Sequence, residues 1–181
     1  MSKAVLISIR PMWCEKIISR EKTIEVRKTR PKLETPFKCY IYCTIGGRDL
    51  NIPISRERIV HDYLETGSMK SLNCPHGNGK VIGEFTCERI TIIAYDGGML
   101  SSTTNAAFSP ATCLSQTEII AYIGDKGRCY GWHISGLRIY DMPKNLSEFT
   151  GLRDTRFGAA PYEIKRPPQS WCYVYRRTEN G

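Results

Sequence analysis

Apolar and polar positions alternate through much of this chain, and the period of alternation divides it into strands and helices. Residues 4–10 (AVLISIR) form a mostly apolar run closed by Pro11. Proline has no N–H to donate and fits the first turn of a helix. Trp13, Ile17 and Ile18 follow at helical spacing, so a short helix burying them is expected to end near residues 19–20. Over residues 23–28 the period falls to two. Ile24 and Val26 then share one face of a strand, and Thr23, Glu25 and Arg27 share the other. That second face is unusually polar. Residues 37–44 make a third strand, with Tyr40 and Tyr42 opposite Cys39, Ile41 and Cys43, broken by Gly46 and Gly47.

Residues 55–65 (SRERIVHDYLE) fit an amphipathic helix with Ile59, Tyr63 and Leu64 inward. Residues 46–78 therefore look like an insertion between two strands. Residues 80–95 are a long strand with a bulge expected at Gly83. Residues 96–113, rich in Gly, Ser, Thr and Asn, are a long loop of the functional or mobile kind. Ser115 and Glu118 make a capping-box pattern that opens a helix over 116–123, and Gly124 closes it. Residues 130–141 are a strand bent at Gly136, 150–168 a second irregular run, and 170–176 a final strand. Strands outnumber helices, and several connections are too short for crossovers. The expected fold is mixed α+β: a small, mostly antiparallel β-barrel with two or three peripheral helices, in a single domain over residues 1–181.

Composition changes this picture little. Hydrophobic residues at 41% and charged residues at 24% describe an ordered globular chain. No apolar run approaches the ~20 residues of a membrane helix. The opening run is too short for a secretory signal. A cytoplasmic protein with no membrane partner is expected. Charge adds more. The net charge is +8, and residues 1–38 hold ten Lys or Arg against four Glu. A clustered basic segment suits a polyanion partner, or else a solvated strand edge. The eight cysteines include no C-x-x-C pair. Cys39 and Cys43 are roughly 13 Å apart along a strand, too far to share a zinc that holds each sulfur at about 2.3 Å. Cys74, His76 and Cys87 are a weak set of ligands, so no metal and no cofactor are expected.

The segment Trp13 to Arg27 resembles the ASCH domain, a branch of the PUA-like superfamily. That family carries an apolar strand, a helix with a bulky residue, then Gly-x-Lys-x-x-x-x-Arg entering the next strand. Here the run is Arg20-Glu21-Lys22-Thr23-Ile24-Glu25-Val26-Arg27. Tyr130-Gly131-Trp132-His133-Ile134 is similar to the family's closing strand. Arg20 stands in place of the usual glycine, and would strain the turn if φ is positive there. The resemblance implies a PUA-like barrel with a cleft beside Lys22 for nucleic acid or a nucleobase. Some members hydrolyse acetylcytidine with a Lys, a Thr three residues later and a Glu from a later helix; others are ribonucleases. Lys22 matches that Lys and Glu118 falls in the matching helix, but Glu25 stands where the attacking Thr would be.

Two function classes follow. The first is an RNA- or nucleotide-binding domain with a basic cleft, reading a single-stranded or modified base. Its candidate residues are Arg10, Lys22, Thr23, Glu25, Arg27, Lys28, Tyr130 and Trp132. Lys would meet phosphate, Glu25 a base amino group, and the aromatics a base face. Against these stand bland readings: an ion pair of Lys22 and Glu25, a structural pair of Arg27 and Glu25, and core packing of Tyr130 and Trp132. The second is a small hydrolase of a modified nucleoside or of RNA, with Lys22, Glu25 and His133 as reacting groups. His133 is otherwise a structural histidine. Whether the protein is an enzyme stays open at this stage, since the family's catalytic set is broken at Glu25. The segment 166–170 is a candidate cleft rim. A third reading gives the insertion a protein partner.

Overall fold

The structure is a computed structural model that describes residues 2–66, 75–96, 98–102 and 108–177. Its strands are β1 (Lys3–Ile9), β2 (Ile24–Arg27), β3 (Phe37–Cys43), β4 (Val81–Asp96), β5 (Met99–Ser102), β6 (Arg128–Lys144), β7 (Thr150–Thr155), β8 (Gly158–Glu163) and β9 (Trp171–Tyr175). Its helices are α1 (Pro11–Ile18), α2 (Arg56–Thr66), α3 (Phe108–Thr112) and α4 (Gln116–Ile123). The hydrophobic period placed most of these within a residue or two. No described helix is long and apolar enough to cross a membrane.

All nine strands join one sheet in the order β2-β6-β4-β3-β1-β9-β7-β8, with β5 added beside β4. Among the described residues only β1 and β3 run parallel; the other ladders are antiparallel. The expected closed barrel is therefore corrected to an open mixed sheet. The cause lies in β2, which has four residues and pairs only with β6. Its free side turns toward β1 and β9 but is joined to them through side chains. Arg27 Nη2 donates to Ser8 O (2.6 Å), and Trp171 Nε1 donates to Thr29 Oγ1 (3.0 Å). The β2–β3 turn reaches β9 too, with Lys32 N donating to Tyr173 Oη (2.7 Å).

Both faces of β1 and β3 are covered. Val5, Ile7, Ile9, Cys39, Ile41 and Cys43 meet Phe85, Cys87 and Trp132 on the inner face. Ala4, Leu6, Tyr40 and Tyr42 meet Phe149, Ile164 and Val174 on the outer. The buried thiols pack as small apolar groups, and burial pushes Cys87 up to about 12. A third cluster seats α4 on the sheet through Ile119 and Ile123 against Val26, Ile93 and Cys129. In β4 the register shifts between Val81 and Gly83, where the bulge was expected. A Cβ on Gly83 would lie 2.4 Å from Arg138 O.

Three regions differ from the sequence expectation. Residues 96–113 are not all loop: they contain β5, paired with β4, and α3. Residues 150–168 are not irregular: β7 and β8 form a hairpin there. Its composition (Gly, Ala, Pro, Arg) hides the strand period because neither strand buries a full apolar face. In the insertion, Leu64 points to solvent at 78% exposure rather than inward. Cys74 lies outside the described residues.

Arg20 does adopt a left-handed conformation, with φ 63°. The turn it makes brings Lys22 N onto Lys16 O (2.9 Å). A residue with a Cβ pays roughly 1–2 kcal/mol there, partly offset by the freedom glycine loses on folding. Arg20→Gly should stabilise the chain by about 0.5–1 kcal/mol in urea unfolding; a lowered midpoint would contradict this reading of the turn.

Candidate functional site

The Arg20 turn aims Lys22 inward, and the alternation of β2 aims Glu25 and Arg27 the same way. All three are buried, at 3%, 6% and 8% exposure. Lys22 Nζ donates to Thr112 O (2.6 Å), sits 3.4 Å from Glu25 Oε2, and lies 5.1 Å from the centre of the Trp13 ring. Arg27 Nη2 is 3.0 Å from Glu25 Oε1 and also donates to Ser8 O (2.6 Å). Arg27 Nη1 reaches Ser170 Oγ at 3.4 Å. A carboxylate is thus fixed between two cations in the gap where β2 fails to pair with β1. Beneath it, Trp132 stands opposite Glu25 in the β2–β6 ladder.

The row opens on a cavity of about 640 Å³. One wall is β1 and the start of α1: Ser8, Ile9, Arg10 and Trp13. Another is Leu114 with Glu118 and Tyr122 of α4. Thr44 and the segment Pro167, Pro168 and Gln169 complete it. Arg10, Lys22 and Arg27 share this lining with Glu25 and Glu118, so it carries a net charge of only +1. Such a space is suited to a polar ligand with donors and acceptors more than to a bare polyanion. Among the described residues, three buried side-chain polar atoms lack a hydrogen-bond partner: Glu25 Oε2, Arg27 Nε and Trp132 Nε1. Each such atom costs about 1–3 kcal/mol, and three cluster at this one place.

No family model matches the chain, and no curated protein matches it. Solved structures do match. The crystal structure of ASCH from Zymomonas mobilis superposes with a TM-score of 0.58 at 18% identity, over 96% of this chain and 88% of that one. One mutant of that protein gives 0.58 at 18% identity, over 96% and 89%. A second gives 0.51 at 16% identity, over 97% and 92%. The chain has the ASCH fold. The resemblance read at residues 13–27 thus extends, as a fold, to almost the whole chain.

Within this ASCH fold the sequence candidates separate. Arg10, Lys22, Glu25, Arg27 and Glu118 come together at the cavity. Glu118 is held by its capping box: Ser115 N and Ser115 Oγ both donate to its Oε2 at 2.8 Å. Those bonds lower its pKa, so at neutral pH it is a carboxylate with no proton to donate. Lys28 is exposed and stands outside the lining, 5.1 Å from the centre of the Tyr122 ring. Thr23 is exposed, and its N–H donates to Ala111 O (2.9 Å). That bond and the one from Lys22 dock α3 on the turn.

Tyr130 and Trp132 take the bland reading. Tyr130 packs on the inner core under the Arg30 guanidinium, 5.8 Å away. Trp132 is fully buried, with Phe37 at 5.7 Å and Trp171 at 6.1 Å between ring centres. His133 lies on the other face of β6, its Nε2 2.7 Å from Thr91 Oγ1. Burial there, with Arg89 near, lowers its pKa below 6.5. Tyr122, Thr44 and Leu114 were missed. Tyr122 follows Glu118 by four residues, so one turn of α4 puts both on the cavity side, a signal present in the sequence.

Removing one partner of a buried charge row leaves the others uncompensated. Glu25→Ala should destabilise the chain by about 3–5 kcal/mol in urea unfolding. A loss under 1 kcal/mol would mean that water, not Glu25, balances Lys22 and Arg27.

Proposed function

We propose that the chain binds RNA or a nucleotide-like ligand by drawing one base into the cavity between β1 and β2. The observation that carries this reading is the buried row Lys22–Glu25–Arg27 with Glu25 Oε2 left without a hydrogen bond. A carboxylate oxygen accepts from a base amino group. The cavity volume falls within the range of small-ligand sites, and Trp13 and Tyr122 supply aromatic walls. Lys22 is buried, donates to Thr112 O and lies against Glu25 and the Trp13 ring, so phosphate contact falls to the exposed cations Arg10 and Lys28.

The hydrolase reading has less support. Glu25 is pinned at the position of the attacking hydroxyl, His133 faces away, and Glu118 is committed to a helix cap. Ser8, the serine in the lining, donates its Oγ to Pro168 O at 2.6 Å.

Titration with the nucleoside monophosphates and with single-stranded RNA tests the proposal. At least one monophosphate should bind, and Glu25→Gln should weaken the preferred one by about 10–150-fold, the value of one hydrogen bond to a charged group. RNA affinity should fall with salt, and Arg10→Ala with Lys28→Ala should flatten that slope by about 1.4, or 0.7 per phosphate. Absence of binding to both would end the proposal. Turnover of acetylcytidine that is lost in Lys22→Ala would replace it with the hydrolase.

A further inference from the structure

The β7–β8 hairpin ends in a turn that holds an aromatic ring out in water. Phe157 is 86% exposed, the most exposed of the large apolar side chains among the described residues. The turn is built rather than frayed. Thr155 Oγ1 donates to Gly158 O (2.7 Å) and accepts from Phe157 N (3.2 Å). Gly158 adopts φ +108°, a conformation suited to glycine. Arg156 lies over the Phe157 ring with its guanidinium carbon 4.6 Å from the centre. Arg153 is exposed nearby, and the acid of the tip, Asp154, is neutralised by Lys3 at 2.5 Å. The tip thus offers a flat apolar face and two cations, a match for a base and its phosphates.

Strand directions place this tip at the same end of the sheet as the cavity. β1 and β7 both run antiparallel to β9, so their carboxyl ends point the same way. Tyr173 pairs with Val5 on one side and with Leu152 on the other. Carrying that register forward three residues sets Thr155 level with Ser8, which lines the cavity. Two strand spacings separate them, roughly 10 Å. The chain leaving β8 then passes through exposed Lys165 and Arg166 before reaching Pro167 in the cavity wall.

We propose that the hairpin tip is a second contact site for a single-stranded nucleic acid, with Phe157 stacking on a base that flanks the one in the cavity and Arg156 meeting its phosphate. The inference rests on the nucleotide reading of the cavity. The full-length chain is titrated with a short mixed-sequence single-stranded RNA and, separately, with the preferred nucleoside monophosphate. Phe157→Ala should weaken RNA binding by about 5–150-fold, the range of one base–aromatic stack, and leave the monophosphate unchanged. Phe157→Trp should restore RNA affinity, and Arg156→Ala should lower the salt slope by about 0.7. RNA affinity unchanged in Phe157→Ala, with wild-type binding intact, overturns the hairpin site and spares the cavity reading. Wild-type chain that binds neither probe ends both. A Phe157-dependent dimer in sedimentation, with RNA affinity indifferent to Phe157, assigns the tip to a second copy of the chain and overturns the inference.

Discussion

Arg27 joins two parts of the sheet that no backbone ladder joins. Its guanidinium spans from Glu25, two residues back on β2, to the main chain of β1 and the side chain of Ser170. A barrel would close this gap with N–H and C=O groups. Here a charged side chain closes it, which needs a counter-charge, and Glu25 with Lys22 supplies the balance. Burying ions costs several kcal/mol each, and the row regains that only through short contacts and hydrogen bonds. Apolar residues of similar volume would hold the gap at least as well. Stability alone is therefore a weak reason for three charges at this place.

What the row provides is polarity inside a space walled by apolar and aromatic side chains. Among the segments that meet there are the end of β1, the Arg20 turn leading into β2, α4 and the approach to β9. Each is fixed by a local device that can be named. Pro11 starts α1, a left-handed residue ends the turn after it, a capping box starts α4, and Ser8 N binds Ser170 O at 2.9 Å. The polar groups of the cavity are accordingly held on strands, a turn and a helix rather than on a free loop, and rigid placement is what discrimination between similar bases needs.

Much of this was legible in the sequence because burial leaves a period. The alternation at residues 23–28 marked Glu25 and Arg27 as sharing a face. It did not reveal that this polar face is the inner one, with Val26 turned outward under α4. Apolar residues signal burial, but here both faces of β2 are buried, and the charges bury because they pair. Ser115 and Glu118 gave the bounds of α4 since capping is a local interaction. The β7–β8 hairpin was illegible for the opposite reason: its strands are mostly solvated, so nothing in the pattern of Arg153, Asp154, Ala159 and Ala160 reports a pleat. The open edge of the sheet was hidden as well, since strand closure depends on long-range pairing that no local window contains.

The central claim is that the Glu25 carboxylate contacts the ligand. Carboxyl-carbon NMR of glutamate-labelled protein reads it directly. Addition of the preferred nucleoside monophosphate should move the Glu25 resonance, while Glu84, locked to Lys38 and Tyr140 away from the cavity, stays in place. A saturable ligand that leaves Glu25 unmoved would contradict the account.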